Sequence, residues 1–242
     1  KDFRTLKIFS LLLLLILGCG KSPKEIRENA DQYYSQAVDY FERGYLSNSS
    51  KLFKEVLEIE NELKLSDKKG NVLLYLGLIE SENSNYNSAL SYYKTAREIF
   101  NSKFDRKSEA MAINNIANVY SNLGQFHKAV QFYKSSLSLS GFSADKEGEA
   151  IALLNIGSVY SEQNNYAEAF EYFSRALNQY QILGDYSGRL SALNKIGETQ
   201  MKFNSLANAL ETFTAALELA EDVRALEIIP AIANNIGLSY FK

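Results

Sequence analysis

A strict period of forty residues is the feature that most limits what this chain can fold into. Ala37, Gly77, Ala117, Gly157, Gly197 and Gly237 stand forty apart, and the residue before each is apolar except at Gln36. Twelve positions after each small residue come Ser49, Ala89, Ala129, Ala169 and Ala209. Four further on stand Phe53, Tyr93, Tyr133, Phe173 and Phe213, and three beyond those Val56, Ala96, Ser136, Ala176 and Ala216. Self-similarity at this spacing marks a repeat architecture, in which each copy buries its apolar surface against the next.

Within a copy the spacing is helical. Ile113, Ile116, Ala117 and Tyr120 share one helix face, and Phe126, Ala129, Val130, Tyr133 and Leu137 share another. Small residues at 117 and 129 predict that two antiparallel helices approach closely, with the ring of Tyr133 filling the space toward the next pair. Gly44, Ser84, Gly124, Asn164 and Asn204 fall in register between the two helices. Four of these five tolerate the left-handed backbone that a tight helix-ending turn needs. Asp105, Asp145 and Asp185 precede the first helix of three successive copies and are expected to cap it. Ser22-Pro23-Lys24-Glu25 reads as a capping box with proline at the first helical position. Apolar residues make up 46% of the 242, with only two prolines. Alternating β-branched runs between turn dipeptides are missing. The expectation is an all-α fold.

Gly157, Tyr160, Tyr166, Ala169, Phe173 and Ala176 together resemble the tetratricopeptide signature. The usual unit has about 34 residues, so the forty-residue copies look like the longer-unit subgroup typified by kinesin light chains and related bacterial regulators. Glu80 and Gln200 depart from the pattern, standing where Tyr40, Tyr120, Tyr160 and Tyr240 stand in other copies, as does Gln36. The resemblance implies an α-solenoid of stacked antiparallel helix pairs, wound as a right-handed superhelix over residues 25–242. Units would start near 30, 70, 110, 150 and 190, with a partial sixth from 230. In that last helix Ile232, Ile236 and Tyr240 would be exposed on the far side, and more chain is expected to follow Lys242.

The same resemblance implies that the first helix of each unit lines a concave surface whose polar positions meet ligand. Asn114-Asn115, Asn155, Asn194-Lys195 and Asn234-Asn235 occupy those positions, with Asn118 one turn beyond Asn114. A side-chain amide offers both donor and acceptor and so can pair with an extended peptide backbone. Longer-unit relatives carry such asparagine ladders, and Asn115, Asn155 and Asn235 match them. The competing reading is that these amides bond within their own helices or to solvent. Lys195 interrupts the row and would favour an acidic group. The variant of the family that clamps a chaperone's terminal carboxylate uses lysines and an arginine that this chain lacks: Asn118 and Asn155 agree, but Asn114, Ser191 and Lys195 stand in the cationic places. Recognition of chaperone tails is not expected.

The first eighteen residues carry Lys1, Arg4 and Lys7 ahead of an apolar run, Ile8–Leu17. Ten helical residues span roughly 15 Å, about half a bilayer's hydrocarbon core, which suits a secretory signal better than a membrane span. Ile16-Leu17-Gly18-Cys19 resembles the bacterial lipoprotein signal, although Leu17 is bulkier than usual. The resemblance implies cleavage after Gly18, acylation of Cys19, a short linker over 19–24 and an exported, lipid-anchored protein of the cell envelope. The alternative is a shortened membrane anchor with an incidental cysteine.

No chemistry emerges from the remaining residues. His127 is the only histidine and Cys19 the only cysteine, too few for a metal site or a hydrolase triad. Gly20-Lys21-Ser22 mimics the tail of a phosphate loop, but Leu15 stands where its first glycine belongs. A net charge of −3 without a basic stripe disfavours nucleic acid. The sequence therefore points to a non-enzymatic scaffold, with no cofactor, metal or small-molecule substrate, that holds a protein or peptide partner. The second reading is the sensory region of a longer signalling protein, such as a sensor kinase, whose output domain lies beyond Lys242.

Overall fold

The computed structural model describes residues 22–64 and 68–241. Among them there is no strand, and eleven helices follow one another: α1 (Pro23–Glu42), α2 (Leu46–Glu62), α3 (Lys69–Glu82), α4 (Tyr86–Ser102), α5 (Arg106–Asn122), α6 (Phe126–Phe142), α7 (Lys146–Glu162), α8 (Tyr166–Leu183), α9 (Tyr186–Lys202), α10 (Leu206–Asp222) and α11 (Ile229–Phe241). Contacts divide the chain into two compact units, Lys1–Ile99 and Phe100–Lys242. Cys19 and the apolar run before it lie outside the described residues, and no described helix is long and apolar enough to cross a membrane.

In the first unit α1 packs on α2 and α2 on α3. Ala37, Phe53, Val56, Val72, Leu76 and Ile79 form its core, with Phe53 stacked on Tyr75 at 4.8 Å between ring centres. In the second unit every helix from α5 to α11 packs on the next. The first helices of successive pairs also touch, α5 with α7, α7 with α9 and α9 with α11. Tyr133 of α6 packs with Ala117 and Ala129 of its own pair and with Ile156 and Val159 of the following one. Phe53 packs likewise with Val72, Leu76 and Ile79, and Phe213 with Ile232, so these aromatics bridge successive pairs, as their place in the period implies.

Close approach of the paired helices depends on the small landmark residue. A Cβ added at Gly157 would come within 2.7 Å of the Phe173 ring and 3.2 Å of the Ala169 carbonyl oxygen. At Gly77 it would meet the Tyr93 ring at 2.4 Å, and at Gly197 the Phe213 ring at 2.5 Å. Where alanine stands instead, at Ala37 and Ala117, it is wholly buried.

The turns follow a second, shorter rhythm. Residues with positive φ recur every twenty positions, at Gly44, Lys64, Ser84, Phe104, Gly124, Ala144, Asn164, Gly184, Asn204 and Arg224. Around Gly124, the Gln125 N–H donates to the Tyr120 carbonyl and the Gly124 N–H to that of Ser121, the paired bonds of a Schellman cap. The same pair recurs around Phe104, where Asp105 N–H meets the Phe100 carbonyl and Phe104 N–H that of Asn101. Most turns inside a repeat were legible from residue type; of those between repeats Gly184 carries the same signal, while Lys64, Phe104, Ala144 and Arg224 carry none.

Helix starts agree with the sequence in part. Ser22 and Glu25 form the reciprocal capping box, Ser22 N–H to Glu25 Oε2 at 2.5 Å and Glu25 N–H to Ser22 Oγ at 3.3 Å. Asp105 accepts from Ser108 N–H at 3.1 Å and Asp185 from Gly188 N–H at 2.9 Å. Asp145 does not cap α7: its carboxylate lies 3.4 Å from Lys107 Nζ, an ion pair that draws it away from the helix amides. The last helix also differs from expectation. Ile232 is buried and Ile236 half-buried against α10 and its neighbours, because their register points them at the preceding helix; only Tyr240 is broadly exposed.

Two outcomes follow from this packing. Gly157→Leu would force the Phe173 ring from its seat and destabilise the fold by about 1–3 kcal/mol, read as a lower urea midpoint. Burial, with Asp185 and Glu147 adding to it, pushes the Tyr180 phenol up to about 12. The folded chain then retains a proton that the unfolded chain releases near pH 10, so stability is unaffected below pH 10 and falls as pH rises above it. At pH 11 the loss attributable to Tyr180 is about 1.4 kcal/mol. Tyr180→Phe should lack that portion of the decline when urea midpoints at pH 9 and 11 are compared.

Candidate functional site

The first helices of the second unit place the predicted asparagines on one face. In α5, Ile113, Ile116 and Ala117 are buried, and the alternating positions leave Asn114, Asn115 and Asn118 half-buried beside them. Asn155 of α7 occupies the matching place one repeat on. Its Nδ2 donates to Asn114 Oδ1 at 3.2 Å and to Asn118 Oδ1 at 3.4 Å, so the amides bond across neighbouring helices. Asn118 Nδ2 in turn donates to Asn115 Oδ1 at 3.4 Å.

A fifth member comes from the second helix of the pair. The Tyr133 hydroxyl donates to Asn118 Oδ1 at 2.6 Å. Burial drives this phenol well above its ordinary titration range, so it stays a donor at any physiological pH. Sequence reasoning placed Tyr133 in the core for its ring and missed the hydroxyl. A signal was present. The residue after the small landmark is Leu78, Asn118, Ser158 and Glu198 in successive repeats, while the aromatic is Tyr93, Tyr133, Phe173 and Phe213. Amide and phenol coincide only at Asn118 and Tyr133.

A second group lies on α9 and α11. Asn235 Nδ2 donates to Asn194 Oδ1 at 2.8 Å, and Asn194 Nδ2 donates to Glu198 Oε1 at 2.7 Å. Lys195 Nζ donates to Glu198 Oε2 at 3.1 Å. The acidic group that Lys195 was expected to attract is therefore supplied by its own helix, a role for Glu198 that the row of asparagines alone did not suggest. Asn234 is exposed and stands apart from both groups. The predicted residues thus form two clusters, Asn114–Asn115–Asn118–Asn155 with Tyr133, and Asn194–Lys195–Asn235 with Glu198.

What these clusters can do is offer paired donors and acceptors in fixed places. Among the described residues Asn155 Oδ1 and Asn115 Nδ2 remain without a protein partner, one acceptor and one donor on neighbouring first helices. A buried bond between Ser161 and Thr199 hydroxyls, 2.8 Å long, ties α7 to α9. His127 is exposed against Gln131, 3.1 Å away. No group of three or more metal-ligating side chains occurs among the described residues.

Comparisons with known proteins agree with this architecture. The chain is similar to the crystal structure of the apo form of RapI at 17% identity, with a TM-score of 0.75, 88% of this chain and 77% of that one being covered. It is also similar to a signal transduction ATPase with a tetratricopeptide repeat sensor from Pyrococcus horikoshii, at 18% identity and TM-score 0.69, covering 88% of this chain and 36% of the other. A Rap protein complexed with competence and sporulation factor matches at 16% identity and TM-score 0.65, covering 89% and 64%. At these identities the likeness shows the fold alone. No curated protein matches the chain at a significant level. The model of the tetratricopeptide repeat matches over residues 69–141, 108–182 and 148–222, more than half of the sequence. With its helix pairs, its small-residue landmarks and its bridging aromatics, the chain belongs to the tetratricopeptide repeat family.

Proposed function

We propose that this protein is a non-catalytic scaffold that holds an extended segment of a partner polypeptide along the first helices of its second unit. The observation that carries the reading is the cluster of Asn114, Asn115, Asn118 and Asn155. Its internal bonds fix the amides in place and still leave Asn155 Oδ1 and Asn115 Nδ2 to pair with a peptide backbone. The Rap protein bound to competence and sporulation factor offers a precedent of the same fold in complex with a partner. The runner-up, a sensory region of a longer signalling protein, draws support from the tetratricopeptide repeat sensor of the Pyrococcus horikoshii ATPase.

The proposal extends to location. Acylation at Cys19, following the apolar run Ile8–Leu17, would tether the repeats to a bacterial envelope membrane. Since Ser22 already caps α1, only Gly20 and Lys21 separate the lipid from the first helix. One acyl chain gives marginal membrane binding and two give a durable anchor.

Two measurements test these statements. A partner captured from solubilised membranes and identified by mass spectrometry should bind the Asn115→Ala/Asn155→Ala double variant about tenfold more weakly, the loss expected when two peptide hydrogen bonds of ordinary strength go. Unchanged affinity would remove the assignment. Metabolic labelling with a fatty-acid probe should mark the wild type and leave Cys19→Ala unlabelled, and equal labelling of both would end the anchoring proposal.

A further inference from the structure

The asparagine cluster ends, at Asn114, on a partly open cavity of about 200 Å³ lined by α5, the end of α6 and the start of α7. Lys107, Met111, Ser140, Asp145, Gly148 and Ile151 line it. Ser140 is wholly buried, and its hydroxyl has no hydrogen-bond partner among the described residues. Burying an unpaired hydroxyl is costly and rare in native folds. Asp145, with a side chain only 10% exposed, faces Lys107 here and does not cap its own helix.

The period explains the hollow. Forty residues before and after Ser140 stand Phe100 and Tyr180, both rings buried, while the outer copies carry Glu60 and Ala220 at this place. Tyr180 lies so close over Gly188 that an added Cβ there would meet its ring at 2.1 Å, and it packs with Ala150 and Ala192. The equivalents of Gly188 and Ala150 are Gly148 and Ala110, and both line the cavity beside Ser140. Position 140 supplies only a hydroxymethyl group, and over Gly148 lie the Asp145 carboxylate and the Ser140 hydroxyl, 2.5 and 2.6 Å from where a Cβ would stand, so the hollow left by the missing ring is bordered by two polar groups. A cavity of roughly 150 Å³ is enough to hold benzene. The Tyr180 phenol interacts with Asp185, the register equivalent of Asp145. A tyrosine side chain entering the cavity from its open side would bring its hydroxyl to Asp145 and the unpaired Ser140 hydroxyl, both of which line it. Met111 and Ile151, 47% and 38% exposed, give the cavity an apolar rim.

We infer that this cavity receives a tyrosine side chain of the bound polypeptide, which supplies in trans the ring that Phe100 and Tyr180 supply in cis. The inference rests on the peptide-binding reading and adds a specificity pocket to it, because Asn114 belongs to both the pocket and the amide cluster.

The test uses the full chain and p-cresol, the tyrosine side chain as a free molecule, with toluene for comparison. Titration of p-cresol should shift the Met111 methyl NMR signal saturably in the wild type. Toluene should bind about three- to tenfold more weakly for want of the hydroxyl's hydrogen bonds. Ser140→Phe rebuilds the packing of the neighbouring repeat; it should raise the thermal midpoint and weaken p-cresol more than about tenfold, a difference of 1.4 kcal/mol or more. Ser140→Ala keeps the cavity and the fold and should bring p-cresol close to toluene. A Met111 signal indifferent to p-cresol in the wild type, or equal p-cresol binding by Ser140→Phe, would overturn the inference. Uptake of p-cresol together with undiminished partner affinity in Asn115→Ala/Asn155→Ala would instead remove the peptide reading and leave the aromatic seat standing. Weakened partner binding in that double variant with no p-cresol uptake would do the reverse.

Discussion

One contact underlies the rest of this structure: an aromatic ring from the second helix of a repeat laid on a residue without a side chain, or nearly so, in the first. Tyr93 over Gly77, Phe173 over Gly157 and Phe213 over Gly197 leave no room for a Cβ between them. Burying a ring of this kind contributes about 1.5–3 kcal/mol, and at Phe53, Tyr133 and Phe213 the ring also reaches the following pair, as Tyr133 does with Ile156 and Val159. Intra-repeat and inter-repeat packing are thus the same interaction. A single pair would leave half of it exposed, which is why a chain of this kind is stable only as neighbours accumulate.

The backbone obeys this packing even where residue chemistry opposes it. Left-handed residues recur at twenty-residue intervals whether the position holds Gly124 and Gly184 or Phe104, Ala144 and Arg224. A residue with a Cβ pays about 1–2 kcal/mol for that conformation. At Phe104 and Ala144 the cost is offset by the paired Schellman bonds, which satisfy carbonyls that would otherwise lack donors, and by the docking of the helices that the turn joins. Turn geometry here is a consequence of helix packing, and local propensity only assists at some sites.

That ordering of forces accounts for what could be foreseen from residues alone. The period, the helix faces and the bridging rings were legible because burial repeats residue types, and Gly44 or Asn164 marked turns because their chemistry fits left-handed backbone. Phe104 and Arg224 gave no such mark, since the constraint on them comes from elements distant in sequence. Asp145 carries the same letter as Asp105 and Asp185 but faces Lys107, a partner thirty-eight residues away that capping rules do not consider. The asparagine row was visible as a row. That its members bond one another across helices, that the Tyr133 hydroxyl joins them, and that Glu198 holds Lys195 depend on distances between helices, which no periodicity encodes. Ile232 and Ile236 were misjudged for a related reason: their register aims them at the helix before, and the end of a sequence says nothing about which side of a helix is already covered.

Nearest-neighbour stability also decides where function can be written into such a chain. A departure from the period costs only what its own interfaces lose, because packing at the next repeat is unaffected. Ser140 can stand where Phe100 and Tyr180 bury rings, since α6 is still held through Ala129, Tyr133 and Ser136, the last donating from its hydroxyl to the Ala110 carbonyl at 2.8 Å. Asn118 can stand where Leu78 is apolar because Tyr133 brings a hydroxyl to meet it. Both departures fall in the same repeat, on adjoining parts of one face, and Asn114 connects them. On the proposed reading, the places where a copy differs are those that would distinguish one partner from another, and here two of them adjoin.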